Sequence, residues 1–362
     1  MKRLLLLSLI IFAVKLQAKP ESAQPKGYLA NNRLQYHGYF YKNDVLGNEK
    51  ELKEIREFAN MLVFSLVDLG SITPETIRNF SDGDMENLDS GLFEGMAKRI
   101  EILESMDYVT VAEAPFWPLI RFDRFESYKK TLRFLKKRVP QIDQLDYFYF
   151  WDEPDINYIP GPEVMEKYIA EFKRVFPAVK VTTCYAIAKE KFLDAVPPSN
   201  YDLLMVDPYF LSNESRKHAA ADFERFYRSR LALALEWANK WDKPFLMVGD
   251  AFGSLSDEGK QFPTPEISLW YYMVSLTQPK CSGLLWFQYG YLETAENITG
   301  VAVDSPMQGL MKVHREIGEA IFGPSSPVGV PFEIGEPAVP EIVREALGIK
   351  ADETGRQPPP SK

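Results

Sequence analysis

The strongest constraint on the fold is an alternation of short apolar segments with amphipathic ones, repeated eight times along the chain. The apolar segments are rich in aromatic and branched residues, and their apolarity is nearly continuous. That pattern is typical of strands buried on both faces of a parallel sheet. We predict strands at Tyr36–Tyr41, Met61–Val67, Tyr108–Glu113, Tyr147–Trp151, Lys180–Cys184, Leu203–Val206, Phe245–Val248 and Gly283–Phe287.

The segments between these strands have the apolar spacing of helices, and Pro162, Pro265 and Pro306 stand where a helix start tolerates proline. Eight strand–helix units predict an α/β fold, a closed (β/α)8 TIM barrel with its helices outside. A doubly wound open sheet is the alternative, but it explains the aromatic strand ends less well. We predict helices at Glu49–Asn60, Gly91–Met106, Phe122–Arg138, Pro162–Phe176, Lys189–Ala195, Ala219–Lys240, Pro265–Leu276 and Pro306–Ile321.

The start of the chain has the features of a signal peptide. Lys2 and Arg3 precede an apolar run, and Ala18 offers a small residue for cleavage. We therefore expect a secreted or periplasmic protein with no stable membrane insertion after cleavage; an uncleaved anchor is the alternative. The predicted divisions are a signal peptide at 1–18, an N-terminal extension at 19–35, the barrel at 36–324 and a proline-rich, partly disordered tail at 325–362.

Charge and cysteine content narrow the range of partners. The formal net charge is −9, and loss of the three basic residues in the predicted signal peptide takes it to −12. Such a surface repels phosphate backbones, so we expect no nucleic-acid partner. The two cysteines, Cys184 and Cys281, fall at opposite ends of the predicted barrel, which predicts free thiols rather than a disulfide.

Two adjacent carboxylates, Asp152 and Glu153, end the fourth predicted strand, directly after a run of aromatic residues. In barrels of this type the chemistry takes place at the carboxyl ends of the strands. Burial and mutual repulsion both raise a carboxyl pKa, and a glycosidase needs one carboxyl protonated and another ionised. We therefore predict Glu153 and Asp152 as catalytic residues. The structural alternative is a helix-capping aspartate and a glutamate in a salt bridge.

Carboxylates, an amide and flat rings follow the other predicted strands. Sugars bind by stacking on rings and by hydrogen bonding of their hydroxyls, so this mixture favours a carbohydrate substrate. Core packing is the alternative explanation for each aromatic residue. It explains least well the residues that stand at strand exits, Trp286, Tyr209 and Trp117. The predicted substrate-binding residues are His37, Tyr39, Glu113, Trp117, Asp207, Tyr209, Asp250, Trp286, Gln288 and Tyr289.

Other kinds of active site have little support. The histidines His37, His218 and His314 are scattered, and no His-Glu-x-x-His motif occurs, so we predict no zinc site and no cofactor. A calcium ion held by loop carboxylates stays open. No Gly-x-Ser-x-Gly nucleophile motif is present.

The Trp-Asp-Glu-Pro motif at 151–154 resembles the fourth-strand signature of barrel glycoside hydrolases, in two versions. In clan A, an Asn-Glu-Pro carries the acid/base glutamate and a second glutamate ends strand seven; here Asp152 replaces the asparagine and Asp250 the second glutamate. In the family 20 and family 123 hexosaminidases, an adjacent Asp-Glu pair ends strand four. There the glutamate is the acid, and the aspartate steadies the substrate's acetamido group as nucleophile.

This resemblance implies a glycoside hydrolase with Glu153 as general acid and Asp152 as the orienting carboxylate, acting on N-acetylhexosaminides. The clan A version implies a retaining glycosidase with Asp250 as nucleophile. A barrel that binds a glycan or a protein without catalysis is the alternative from another class. Regular strand alternation turns Asp152 and Glu153 to opposite sides, so a paired role requires a bulge or twist at the end of strand four.

Overall fold

Eight parallel strands close into a barrel, in chain order, in the computed structural model of residues 34–68, 73–114, 116–154, 161–186, 196–208, 220–254, 263, 265–290, 298–300 and 308–322. The prediction of a (β/α)8 barrel is confirmed. The predicted signal peptide, most of the N-terminal extension, the proline-rich tail and the helix predicted at Lys189–Ala195 lie outside the described residues.

Every predicted barrel strand is present, with ends that differ from the prediction by at most two residues. A separate antiparallel pair is additional to the prediction: β8 (Phe252–Ser254), just after the seventh barrel strand, pairs with β10 (Ile298–Gly300), which follows the eighth. The barrel strands are β1 (Tyr36–Tyr41), β2 (Met61–Ser65), β3 (Val109–Glu113), β4 (Tyr147–Asp152), β5 (Lys180–Tyr185), β6 (Leu203–Val206), β7 (Phe245–Asp250) and β9 (Cys281–Tyr289).

Helices follow the barrel strands other than β5, after which residues 187–195 lie outside the described part of the chain. None of the described helices is long and apolar enough to cross a membrane. The second and fourth helices are additional to the prediction. Local signals for the second are present, because Thr73 caps its first turn and Gly83 ends it at a φ of +75°. The helices are α1 (Glu49–Arg56), α2 (Pro74–Asp82), α3 (Ser90–Ser105), α4 (Trp117–Arg121), α5 (Phe125–Arg138), α6 (Pro162–Val175), α7 (Ala220–Lys240), α8 (Pro265–Thr277) and α9 (Gln308–Phe322).

Strand alternation divides the buried side chains into two clusters. The outer cluster lies between the outward faces of the strands and the helices, and it includes Tyr39 and Trp286. The inner cluster fills the barrel with Phe40, Met61, Val63, Val111, Tyr147, Tyr149, Cys184, Leu203, Met205, Leu246, Val248 and Leu285. Cys184 and Cys281 are both buried and free, so the prediction of free thiols is confirmed.

Candidate active site

A β-bulge at the end of β4 turns Asp152 to the inner side of the strand. Tyr149 pairs with Thr182 and Asp152 pairs with Cys184, so three steps on β4 match two steps on β5. The extra residue reverses the alternation and puts Asp152 on the same face as Tyr149. The Tyr149 hydroxyl donates a hydrogen bond to Asp152 Oδ1 at 2.5 Å. A bulge is therefore present at the end of β4, but it lies before Asp152 rather than between Asp152 and Glu153, and of these two only Asp152 lines the cleft where β3 and β4 end.

Glu153 occupies a left-handed turn directly after this bulge. Its φ is +46°, and its backbone N–H donates to the Cys184 carbonyl at 2.9 Å. A non-glycine residue held in this region costs about 1–3 kcal/mol, and such residues concentrate at functional sites. The Glu153 side chain is half-buried, whereas Asp152 is exposed. A strained backbone therefore places two adjacent carboxylates in different environments at the barrel mouth.

Glu113, at the end of β3, is a third carboxylate beside this pair. Its position on β3 lies opposite Tyr149 on β4. Burial raises the pKa of the Glu113 carboxyl most; the Lys42 ammonium, 3.7 Å away, lowers it, and the charge of Asp152 raises it. The pKa stays above its ordinary value. Glu113 consequently accepts a proton more readily than an isolated glutamate would.

A cleft of about 240 Å³ opens where β3 and β4 end. It includes Glu113 and Asp152 from the predicted site, but also Arg121, which the sequence prediction does not contain. Arg121 ends α4, so its place in the wall depends on a short helix that the strand pattern does not show. The lining residues are Glu113, Ala114, Arg121, Tyr149, Phe150, Trp151 and Asp152.

Two further predicted carboxylates, Asp207 and Asp250, are buried at the ends of β6 and β7. The Tyr271 hydroxyl, from α8, donates to Asp250 Oδ2 at 2.6 Å. Tyr271 reaches this position beside Gly249, where an added Cβ would lie 3.2 Å from the Tyr271 ring and 2.6 Å from the Trp286 ring. The absence of a side chain at Gly249 therefore makes room for the tyrosine that holds Asp250.

His37, Tyr39 and Trp286 are fully buried and do not line the mouth as predicted. The Trp286 indole donates to Nε2 of His37 at 2.8 Å and stacks on the His314 ring of α9, with centroids 4.0 Å apart. The Tyr39 hydroxyl shares a hydrogen bond with His314 Nδ1 at 3.0 Å. The predicted sugar contacts of these three residues are corrected: their side chains join the barrel to α9.

Strand alternation explains this correction. Phe40 and Phe287, one residue away from Tyr39 and Trp286, pack with the inner cluster. Tyr289 is also fully buried in the outer cluster, where its ring stacks on the ring of Tyr41 with centroids 5.7 Å apart. Its predicted contact with a sugar is therefore corrected as well. Phe287, which is not among the predicted binding residues, is half-buried with the Lys42 ammonium 5.6 Å from its ring centroid.

Gln288 has an unusual environment at the end of β9. It is fully buried, and neither atom of its side-chain amide has a hydrogen-bond partner within the described residues. Phe40 of β1 pairs with Phe287 of β9, and the next residue, Tyr41, pairs with Tyr289. Gln288 is therefore the extra residue of a β-bulge in β9. An unsatisfied buried amide is costly, which makes Gln288 a candidate for contact with a bound polar molecule.

Two predicted residues fall where the structure gives no side-chain description. Tyr209 lies outside the described residues, and Trp117 is described only through its backbone, which begins α4. In the part of the chain that is described, no group of three or more His, Cys, Asp or Glu side chains is arranged to hold a metal ion.

The fold resembles those of solved glycoside hydrolase structures. The GH5_18 protein of Streptomyces cattleya in complex with GlcNAc matches with a TM-score of 0.60 at 10% identity, over 83% of this chain and 83% of that one. A GH5_18 variant of Bifidobacterium longum subsp. longum in complex with Manβ1-4GlcNAc gives 0.55 at 9% identity, over 82% and 80%. The β-glycosidase BGL167 gives 0.52 at 10% identity, over 80% and 89%. No protein-family model and no curated protein matches the sequence. At these identities the likeness establishes that the chain shares the TIM-barrel fold of these structures.

Proposed function

We propose that this chain is a glycoside hydrolase in which Glu153 is the general acid and Asp152 is the carboxylate that orients and stabilises the reacting sugar. The observation that carries the proposal is the β4 bulge, because it brings Asp152 to the inner side of the strand directly before Glu153. The barrel fold shared with GH5_18 and β-glycosidase structures supports the class of reaction.

The environments of the two carboxylates suit different tasks. Glu153 is half-buried directly after Asp152, and as general acid it would donate its proton to the glycosidic oxygen. Asp152 is exposed, and the hydrogen bond from the Tyr149 hydroxyl to its Oδ1 holds the carboxylate in one direction. An ionised carboxylate stabilises the positive charge that develops on the sugar in the transition state.

The proposed substrate is a glycan that contains an N-acetylhexosamine. Two structural neighbours are complexes with GlcNAc and with Manβ1-4GlcNAc. In the mechanism that the adjacent Asp-Glu pair suggests, the acetamido oxygen attacks the anomeric carbon, and Asp152 stabilises the positive charge gained by the acetamido nitrogen. The products are the released sugar and, after water opens the cyclic intermediate, the N-acetylhexosamine.

A second mechanism keeps Glu153 as acid/base and uses Asp250 as nucleophile. Asp250 ends β7 and is held by the Tyr271 hydroxyl, and the likeness to GH5_18 structures favours this arrangement. It requires a covalent bond between the sugar and Asp250, whereas the first mechanism forms none with the protein. The two mechanisms therefore differ in an observable intermediate.

The experiment is hydrolysis of a panel of N-acetylhexosamine glycans by wild type and Glu153→Gln. We expect the variant to lose about 10²–10⁴-fold in turnover of unactivated substrates, because it lacks the proton donor, with the melting temperature unchanged. Glu163→Gln is the matched control, since Glu163 is an exposed glutamate at the start of α6, the helix that follows β4. An unchanged rate in Glu153→Gln would reject this residue as the acid. Glycan binding without turnover by wild type would favour the non-catalytic barrel instead.

A further inference from the structure

Arg121 brings a guanidinium group to the wall of the cleft beside Glu113 and Asp152. Its side chain is exposed. Among the described residues no carboxylate forms an ion pair with it, and its recorded contact is with the ring of Phe122, 6.0 Å from the guanidinium carbon. A charged group with five N–H donors therefore faces the cleft with its hydrogen-bonding capacity unused by the described part of the chain.

The neighbouring cations are engaged differently. Lys42 pairs with Glu113 at 3.7 Å, and Arg124, just beyond α4, pairs with Asp82. These two side chains have their charges matched by carboxylates, whereas Arg121 has no carboxylate partner among the described residues. The planar fork of a guanidinium binds carboxylate and sulfate oxygens in pairs, with a geometry that lysine does not reproduce. In a chain with a net charge of −9, such a cation gives the cleft a local attraction for anions.

Phe122 adds an apolar surface next to this cation. It is 62% exposed, which is exceptional for a large hydrophobic side chain in the described part of the chain. Phe122 is not itself part of the cleft lining, but its ring lies beside the guanidinium of Arg121, which is. Exposed rings pack against the C–H faces of sugars, so the Arg121–Phe122 pair offers a charged contact and a stacking contact side by side.

We infer that Arg121 and Phe122 form a subsite for an acidic sugar. Arg121 binds the carboxylate or sulfate group of the glycan, and the Phe122 ring packs on the face of the same sugar unit. This inference rests on the proposed function and specifies it: the substrate is a glycan in which an N-acetylhexosamine neighbours an anionic unit.

The experiment is calorimetric titration in the Glu153→Gln background, which prevents turnover. Three tetrasaccharides of equal length are compared: N-acetylglucosamine alternating with glucuronate, the same chain with glucose in place of glucuronate, and the neutral chain with sulfate esters. We expect one of the anionic glycans to bind about tenfold more tightly than the neutral one, because charge-assisted hydrogen bonds at an exposed site are worth about that much. The stronger of the two arms identifies carboxylate or sulfate. Higher salt should reduce the preference.

Arg121→Gln should abolish the preference while the affinity for the neutral glycan changes less than about twofold, because only the anion contact is lost. Phe122→Ser should weaken the binding of all three glycans. Arg138→Gln is the matched control: Arg138 is also exposed and lies 5.9 Å from the ring of Phe93, but at the end of α5 and away from the cleft lining. It should leave all affinities unchanged.

Equal affinity for neutral and anionic glycans in the Glu153→Gln protein with Arg121 and Phe122 unchanged, or no binding of any of them, would overturn the inference. So would a preference that survives Arg121→Gln. These outcomes are separate from failure of the proposed function. Turnover of neutral glycans without an anionic preference rejects the subsite and keeps the hydrolase, whereas an Arg121-dependent preference without turnover of any glycan keeps the subsite and rejects the hydrolase.

Discussion

Tyr149 and Asp152 stand three residues apart on one strand, yet the tyrosine hydroxyl lies 2.5 Å from Oδ1 of the aspartate. In a regular strand, residues at this separation point to opposite faces; the β4 bulge brings them together. Tyr149 is itself fixed inside the barrel, where its ring meets the Phe40 ring edge to face at 5.7 Å. The packing of the barrel interior thereby sets the direction of the Asp152 carboxylate, and Tyr149 is a positioning residue.

Tyr149→Phe tests this relationship, because it removes one hydroxyl and keeps the ring. A hydrogen bond to a charged group is worth about 1.5–3 kcal/mol, so misplacement of Asp152 should lower kcat about 10- to 100-fold. The KM should change little, since the contact matters in the transition state. Steady-state kinetics on an N-acetylhexosamine glycan, with circular dichroism to verify the fold, provide the measurement.

Tyr128→Phe is the control for Tyr149→Phe. Tyr128 is also fully buried, but its hydroxyl has no hydrogen-bond partner in the described part of the chain. Loss of an unsatisfied hydroxyl should leave kcat unchanged and keep or raise the melting temperature. Equal losses of kcat in both variants would show that any change in the aromatic interior slows the enzyme, and the positioning role of Tyr149 would have to be abandoned.

Asp152→Asn and Asp250→Asn separate the two mechanisms. If the acetamido group is the nucleophile, Asp152→Asn should lower kcat about 10²–10³-fold with little change in binding, as loss of a group that stabilises transition-state charge does. Asp250→Asn should then be milder, and a thiazoline analogue of the cyclic intermediate should inhibit. Mass spectrometry after treatment with a slow fluorinated substrate gives the decisive reading, because a glycosyl adduct on Asp250 establishes the second mechanism.

The sequence was sufficient to predict the barrel because its strands are buried on both faces and therefore read as continuous apolar runs. The same property hides the direction of each side chain. Phe287 packs with the inner cluster and Trp286 with the outer one, although both belong to the same apolar run. Alternation can assign such faces only from a fixed register, and bulges in β4 and β9 shift that register near the mouth.

The candidate site was predictable in part for a related reason. Carboxylates at strand ends are visible in the sequence because the barrel fixes which end of each strand carries them. Arg121 was not visible, because its place in the cleft depends on α4, a helix of one short turn between β3 and α5. The contact of Tyr271 with Asp250 likewise depends on how α8 packs over Gly249.

Trp286→Ala should lower the free energy of unfolding rather than the affinity for glycans. The indole is fully buried between His37 and His314, and truncation of a buried tryptophan costs about 3–5 kcal/mol. This reverses the expectation for a ring that stacks on a sugar. Urea unfolding of Trp286→Ala and wild type measures the loss. A stable variant with weakened glycan affinity would restore the binding role predicted from the sequence.

Gln288→Met tests whether the buried amide is kept for a ligand. Methionine has a similar length and no amide, so it removes two buried polar atoms that have no partner in the described residues. Stability should be unchanged or higher, because the desolvation cost of the amide disappears. Glycan affinity should fall if Gln288 contacts a substrate hydroxyl. A clear loss of stability with unchanged affinity would instead show that the amide has a structural partner.

The hydrogen bonds of His37 fix it in one neutral tautomer. The Phe58 carbonyl can only accept, so Nδ1 carries the proton across 2.6 Å, and the Trp286 indole can only donate, so Nε2 accepts across 2.8 Å. Burial lowers the pKa of His37 from 6.5 to about 4, against the opposing effect of its bond to Phe58. Burial also lowers the pKa of His314, with a further contribution from the charge of His37.

These two histidines should make the protein less stable in mild acid. A base whose pKa is lower in the folded state stabilises the fold fully above its unfolded pKa of about 6.5, and this contribution is lost as pH falls toward the folded pKa. The shift of His37 to about 4 corresponds to about 3 kcal/mol at most. Urea unfolding should therefore show a free energy of unfolding that falls between pH 7.5 and about 4.5. This range lies above the pH at which carboxylates such as Glu171 take up protons, because the bonds of Glu171 to Arg174 lower its pKa. His37→Phe should be less stable at pH 7.5 but should lose less stability on acidification. Glu113, whose pKa is raised, contributes in the opposite direction in both proteins, so the difference between the two curves measures His37. Curves of wild type and His37→Phe that run parallel across this range would contradict the neutral, buried state of His37.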